Sequence, residues 1–201
     1  MSNTRIPTQK RSIEKKNKII EKGFELMCEK GFHNTNTSEI AKYTNVSTGI
    51  IYQYFNDKKE IFIEGIKNYS EKIMFPMIEI LNNKEIDVQN INVLLNDIID
   101  TLIKNHTLSK KAHEELLAMA HFDSDIADVF NKQEIQMTKN IDIILKNNNL
   151  NLHNSSEKIH IIVGLIENFC HEVVYHKHEE LNYESMKEIV IKLVVDTLNY
   201  N

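Results

Sequence analysis

An all-α fold of about nine helices is what this sequence predicts, and three observations predict it. The 201 residues hold only five Gly and two Pro, too few for the turn every 8–12 residues or so that a sandwich or barrel requires. Hydrophobic residues make up 41% of the chain, enough for a packed core and too many for a disordered one. Apolar residues recur at three- and four-residue spacing, and no segment alternates clearly with period two.

Charge and cysteine usage narrow the function classes. The formal net charge is −5 and the pI is near 6.0, which argues against a general polyanion binder. The charge is uneven, however: residues 1–60 carry 11 Lys/Arg against 7 Asp/Glu, and residues 61–201 carry 13 against 22. A basic head on an acidic body places any polyanion site at one end. Cys28 and Cys170 lie far apart, with no CxxC partner, so neither a disulfide framework nor a zinc finger is expected and a reducing cytoplasm is the compartment expected. The N-terminus lacks the apolar stretch of a signal peptide. The windows Ile159–Leu165 and Ile189–Val195 are interrupted by Gly164 and Lys192 and fall short of the roughly 20 residues needed to cross a bilayer. No membrane partner is expected.

Each element has a local signal. Ser12 is expected to cap a helix running to Lys30, with Ile19, Ile20, Phe24 and Met27 on its apolar face. Gly31 follows, a residue that takes positive φ without strain. Thr37–Thr44 forms a short helix behind an Asn36-Thr37-Ser38-Glu39 start. Asn45 suits the tight turn after it. Ser47 caps a third helix, Thr48–Phe55, and Asp57 caps a fourth reaching about Asn82. Pro76 lies inside that fourth helix and is expected to kink or break it. Further runs follow at Val88–Asn105, Ser109–His121 and Asp123–Asn148. A loop comes next, rich in Asn147, Asn148, Asn149 and Asn151. Ser155–His178 and Tyr183–Asn199 complete the chain.

Two short helices joined by a turn of three or four residues make a helix-turn-helix, whose second helix enters the major groove of DNA. Ile40, Ala41, Val46, Ile51 and Phe55 supply its small core. Thr48, Gly49, Ile50 and Gln53 are expected to face the bases, Ile50 through apolar contact to a thymine methyl. Tyr52 and Tyr54 carry hydroxyls that reach phosphates. Lys58 sits in the first turn of the next helix, where backbone N–H groups and the helix dipole also favour an anion. The alternative for this segment is a helical hairpin that binds protein. The coincidence of motif and basic head favours DNA.

These residues carry a resemblance. Ile19-Ile20, Phe24-Glu25-Leu26-Met27, Gly31-Phe32, Thr37, Ile40-Ala41, Val46-Ser47, Gly49, Ile51-Tyr52, Tyr54-Phe55, Lys58 and Glu60 resemble the N-terminal domain of TetR-family transcriptional regulators, over residues 12–62. The chain departs from the usual pattern at Thr44-Asn45, where Ala-Gly is common, and at Tyr54, where His is frequent. The resemblance implies an all-helical homodimer. Residues 1–57, with a basic arm over 1–11, would form the DNA-binding domain, and residues 58–201 the effector-binding and dimerisation domain. It also implies phosphate contacts from Thr37, Tyr52, Tyr54 and Lys58. Ser38, Thr48, Gly49, Ile50 and Gln53 would lie nearest the bases of a palindromic operator in double-stranded DNA.

The body offers weaker signals. The runs 155–178 and 183–199 have apolar faces too wide to bury on one side. Packing against the same pair of a second chain as a four-helix bundle accounts for them. Methionine and phenylalanine are abundant among the middle helices, and a hydrophobic or amphipathic small-molecule effector is the class expected. Its expected contacts are Phe75, Met119, His121, Phe122, Met137, Glu167 and His171. Eight of the nine histidines lie beyond residue 100. A Glu167/His171/His121 grouping is weighed as a metal site or as polar groups reading an effector. A scatter of exposed or singly bonded histidines is preferred, so no metal and no cofactor is expected. No catalytic elbow, P-loop or dinucleotide fingerprint is present. The function expected is a sequence-specific homodimeric repressor released by an effector, not an enzyme. Alternatives are an effector-independent regulator or activator and, more remotely, a metal-dependent enzyme using the His/Glu cluster.

Overall fold

The computed structural model describes residues 9–84, 86, 90–107 and 110–200, without the side chains of residues 73–75. Among them are nine helices and no strand. These are α1 Lys10–Lys30, α2 Thr37–Thr44, α3 Thr48–Tyr54, α4 Lys58–Asn83, α5 Ile91–Thr107, α6 Lys110–Phe122, α7 Ser124–Asn147, α8 Ser155–Tyr175 and α9 Tyr183–Asn199. None is long and apolar enough to cross a membrane. Most of the basic arm expected over 1–11 lies outside the described residues.

Several boundaries shift for identifiable reasons. α1 begins three residues early, behind Gln9, and Ser12 does not cap it. The Ser12 hydroxyl is engaged instead with the Tyr54 hydroxyl, 2.7 Å away. Pro76 does not break α4, which continues to Asn83. The missing proline N–H removes one hydrogen bond of the ladder, and the remaining turns on either side hold the helix together. Asn149 and Asn154 take positive φ, 62° and 51°, so the asparagine-rich loop uses the residue type that tolerates this region. α8 stops at Tyr175, and His176 closes it through a bond from its N–H to the Glu172 carbonyl.

The packing divides the chain into two compact units. The first comprises residues up to Tyr69 together with Lys111–Val129, and the second Ser70–Lys110 with Phe130–Asn201. The division falls inside α4, whereas the sequence expectation placed it at 57/58. In the first unit Ile19, Met27, Ile40, Ile51, Phe55, Ile61, Phe62 and Ile66 are almost wholly buried. In the second, α5 packs on α8 and α9, and α8 on α9. Its core includes Ile98, Ile99, Leu102, Ile166, Phe169, Cys170 and Val194. Burial pushes the Cys28 thiol up to about 12 and the Cys170 thiol higher still, so neither is a ready thiolate.

Candidate nucleic-acid interface

Local chemistry fixes the two short helices. Asn36 Oδ1 accepts the Glu39 N–H at 3.0 Å, and Glu39 Oε2 accepts the Asn36 N–H at 3.1 Å, a reciprocal capping box that starts α2. Lys30 donates to Glu39 at 3.0 Å, and that bond holds the Glu39 carboxyl below its usual range. Asn45 ends α2 in the left-handed conformation, at φ 57° and ψ 49°. The N–H groups of Asn45 and Val46 then return to the carbonyls of Lys42 and Ala41, so the carbonyls that the helix leaves open are satisfied. Ser47 Oγ accepts the Ile50 N–H and begins α3. Ile40, Ala41, Ile51 and Phe55 point inward.

The rest of the first unit braces this motif from behind. A Cβ on Gly23 would lie 2.9 Å from Ile61 Cγ2 and 3.1 Å from Ile40 Cγ2, so glycine lets α1 approach both α2 and α4. A Cβ on Gly65 would lie 2.4 Å from the Phe24 ring. Glu115 Oε1 of α6 accepts the Phe32 N–H at 2.5 Å. Lys59 Nζ lies 2.7 Å from Asp123 Oδ1 and 2.6 Å from Asp125 Oδ2. Glu115 thereby holds the segment joining α1 to α2 from α6, and Lys59 ties α4 to the turn between α6 and α7. Sequence reasoning missed Gly23, Gly65 and Glu115. Each acts through a partner remote in sequence, and no local spacing announces it.

The residues expected at DNA fall into three groups. Ser38, Gly49, Tyr52 and Gln53 are exposed, Tyr52 by 53%. Thr37, Thr48 and Ile50 are half-buried along the same two helices. A Cβ on Gly49 would touch little, its nearest neighbour being Ser47 Oγ at 3.9 Å, so nothing inside the chain demands glycine there. Tyr54 and Lys58 depart from expectation. Tyr54 is 8% exposed and its hydroxyl is paired with Ser12, so the phenol is a core group rather than a phosphate ligand. Lys58 Nζ donates to the carbonyls of Phe32 and Thr35 at 2.5 and 2.6 Å and sits 4.4 Å from the Phe32 ring centre. Burial lowers the pKa of this ammonium. It ties down the α1–α2 segment and does not point outward. The N-terminus of α4 also has its own carboxylates. Asp57 accepts the Glu60 N–H at 2.9 Å, and Glu60 accepts the Asn56 N–H at 2.8 Å. These acids occupy the end where an anion was expected.

The residues expected at an effector do not converge within either unit. Met119, His121 and Phe122 belong to the first unit, and Met137, Glu167 and His171 to the second; the side chain of Phe75 lies outside the described residues. Met119 is 3% and Met137 7% exposed, as core residues are, whereas Phe122 is 85% exposed. His121 is also exposed. Among its described residues the second unit encloses small apolar cavities. One, of about 70 Å³, is lined by Met77, Leu81, Leu94, Ile98, Ile166 and neighbouring aliphatic residues. Another, of about 90 Å³, is lined by Ile86, Ile91, Leu145, Val195 and others. None of the expected residues lines either.

Comparison with known proteins agrees with the site. The family described as "Bacterial regulatory proteins, tetR family" matches residues 19–64. The HTH-type transcriptional regulator HbdR of Aromatoleum sp. is 42% identical over 55 residues, covering 27% of this chain and 24% of HbdR. The chain thus spans only about a quarter of that relative's length. The biofilm operon icaADBC negative transcriptional regulator IcaR of Staphylococcus aureus is 27% identical over 138 residues, covering 62% of this chain and 74% of IcaR. Among solved structures, the fatty acid degradation regulator FadR of Bacillus halodurans superposes with a TM-score of 0.66 at 17% identity, over 94% of this chain and 97% of that one. The capped α2–α3 pair and its braced core fall within residues 19–64, the segment that matches the tetR family of bacterial regulatory proteins.

Proposed function

We propose that this chain is a DNA-binding transcriptional regulator acting as a repressor, and not an enzyme. One observation carries the reading. The α2–Asn45–α3 unit is rigidly capped and braced from within, while Ser38, Gly49, Tyr52 and Gln53 are left exposed on it. A short helix presenting small, polar and aromatic side chains on a fixed support is what major-groove reading requires. Thr37, Thr48 and Ile50 complete the proposed face. The sign of regulation follows the name of IcaR, a negative regulator. The test is affinity for a duplex selected from random DNA. Affinity should fall steeply with salt and several-fold with Tyr52→Ala. Equal affinity of that variant at all salt concentrations would remove α3 from the interface.

A homodimer through α8 and α9 is proposed on their exposed apolar residues. Ile161, Ile189 and Leu193 are 62%, 58% and 46% exposed, and burying them against a second copy of the chain removes that area from water. Two heads on one dimer match a palindromic operator. A small-molecule effector of apolar or amphipathic type is proposed for the second unit, where the cavity linings are aliphatic. The size of these cavities favours a second reading beside it. An apolar void of about 150 Å³ holds benzene, and both of these cavities are smaller. An effector seated in either one has to widen it, and an effector-independent regulator needs no widening. Release of bound DNA by fatty acids or other apolar compounds separates the two readings.

A further inference from the structure

The two apolar cavities of the second unit adjoin. Ile86, Ile91, Leu145 and Leu198 line both of them. Ile91 opens α5, and Leu145 and Leu198 lie in the last turns of α7 and α9. From there the cavity of about 70 Å³ follows α5 to Ile98 and α8 from Ile159 to Ile166. Seven residues of helix advance about 10 Å. The cavity of about 90 Å³ continues past the same helix ends, to Leu150, Leu152 and Asn199. The two stand end to end, with the four shared side chains as a waist.

Their linings select the occupant. Among the described residues the inner cavity is lined by aliphatic side chains and Met77, and the outer one by aliphatic side chains and Asn199. No aromatic ring and no carboxylate lines either, so an organic cation finds no partner there. Each cavity alone is smaller than the roughly 150 Å³ that holds benzene, and together they exceed it. A ring or a branched skeleton has to fit one cavity or the other. A chain one methylene wide passes the waist and uses both.

A cation stands at the outer end. Lys158 precedes Ile159 of the inner lining and is only 7% exposed. Its Nζ donates to the carbonyl of Tyr200, the neighbour of Asn199 in the outer lining, and lies 5.9 Å from the Tyr200 ring centre. An ammonium has three hydrogens, and no carboxylate accepts one of them among the described residues. A lysine this buried ordinarily has an anionic partner.

We propose that the second unit binds an unbranched alkyl carboxylate of about six to eight carbons, its chain running through both cavities and its carboxylate on Lys158. This assignment rests on the effector-controlled reading of the chain and gives the effector a chemical class. Ile91 and Leu198 are half-buried, and turning them to another rotamer opens the waist without parting the helices. Methylene burial supplies the affinity, and the charge-assisted bond to Lys158 fixes the direction of the chain.

The test is calorimetric titration of the full-length chain with straight-chain carboxylates from butanoate to decanoate. One molecule per chain should bind, with affinity rising about fourfold per methylene and levelling off near about eight carbons. Cyclohexanecarboxylate, with the same carbon count as heptanoate, should bind about tenfold more weakly than heptanoate. Val163 lines the inner cavity alone, and Val163→Phe should end the rise at a shorter chain. Lys158→Met should weaken octanoate about tenfold or more and leave 1-octanol unchanged. Affinity independent of chain length overturns the proposal, as does equal binding of the ring and the straight chain. A Lys158→Met variant that loses acid and alcohol alike overturns the carboxylate site, because Lys158 would then serve only the fold. Release of bound DNA is scored separately. If alkyl carboxylates do not bind and another compound releases DNA, this ligand falls and effector control stands. If they bind and no compound releases DNA, effector control falls and this site stands.

Discussion

Replacing Gly65 by Ala sets two effects of opposite sign against each other. Gly65 lies inside α4, where Ala is preferred by about 1 kcal/mol on helix propensity. Considered as an isolated helix, the substitution stabilises. The structure reverses the sign. The added Cβ would lie 2.4 Å from Phe24 Cδ2 and Cγ and 2.5 Å from Phe24 Cβ, where ordinary contact begins at 3.4 Å. The Phe24 ring must recede by about 1 Å, and because its Cβ is also too close, a rotamer change alone does not clear the overlap. Overpacking of this kind costs about 1–3 kcal/mol. Phe24 also packs on Phe62 and Tyr69 at centroid distances of 5.4 and 6.1 Å, and disturbing these pairs adds about 0.5–1.5 kcal/mol. Less the helical gain, the net loss is about 0.5–3.5 kcal/mol. Urea unfolding followed by circular dichroism measures it, with the midpoint shifted down at unchanged slope. Stability equal to or above wild type would show that Phe24 has room and that Gly65 does not set the α1–α4 distance.

Further predictions separate the roles of residues that look alike in sequence. Tyr54→Phe removes the hydroxyl bonded to Ser12 and should cost about 0.5–1.5 kcal/mol of stability with little change in DNA affinity, the converse of Tyr52→Ala; a large affinity loss with Tyr54→Phe would return that phenol to the interface. Asn45 already holds a β-carbon at φ 57°, and its short polar side chain eases that region; Asn45→Ala removes that help and should cost up to about 1 kcal/mol by thermal unfolding, whereas Asn45→Gly, which has no β-carbon, should be neutral or stabilising. The hydrogen bond from Lys59 holds the Asp123 carboxyl below its unfolded value, so the pair stabilises above the unfolded carboxyl range near about 3.9 and fades as pH falls through the folded value. Asp123→Asn retains a side-chain oxygen for the Asp125 and Ile126 N–H groups and removes the charge. Its deficit of about 0.5–1 kcal/mol at neutral pH should shrink toward zero in acid, and a deficit constant with pH would exclude the ion pair as its source.

What the sequence determined by itself was local. The shortage of Gly and Pro set the helical class, and cap residues set the short helices: Asn36, Glu39, Asn45 and Ser47 act on backbone groups a few positions away, so α2 and the start of α3 were legible from spacing alone. The exposure of Ser38, Gly49, Tyr52 and Gln53 followed from the same period. Tertiary structure decided which polar groups face inward. Tyr52 and Tyr54 are two residues apart with identical side chains, and a rotation of about 200° around the helix separates an exposed phenol from one paired with Ser12. Lys58 has the composition of a phosphate ligand, and only the nearness of the Phe32 and Thr35 carbonyls turns it into an internal brace. His106 and Glu167 stand 61 positions apart in the chain and meet because α5 packs on α8. Helical periodicity reports which residues share a face. It carries no information on which remote face that one meets, and in this chain that pairing decides the braces, the cavities and the His106–Glu167 contact.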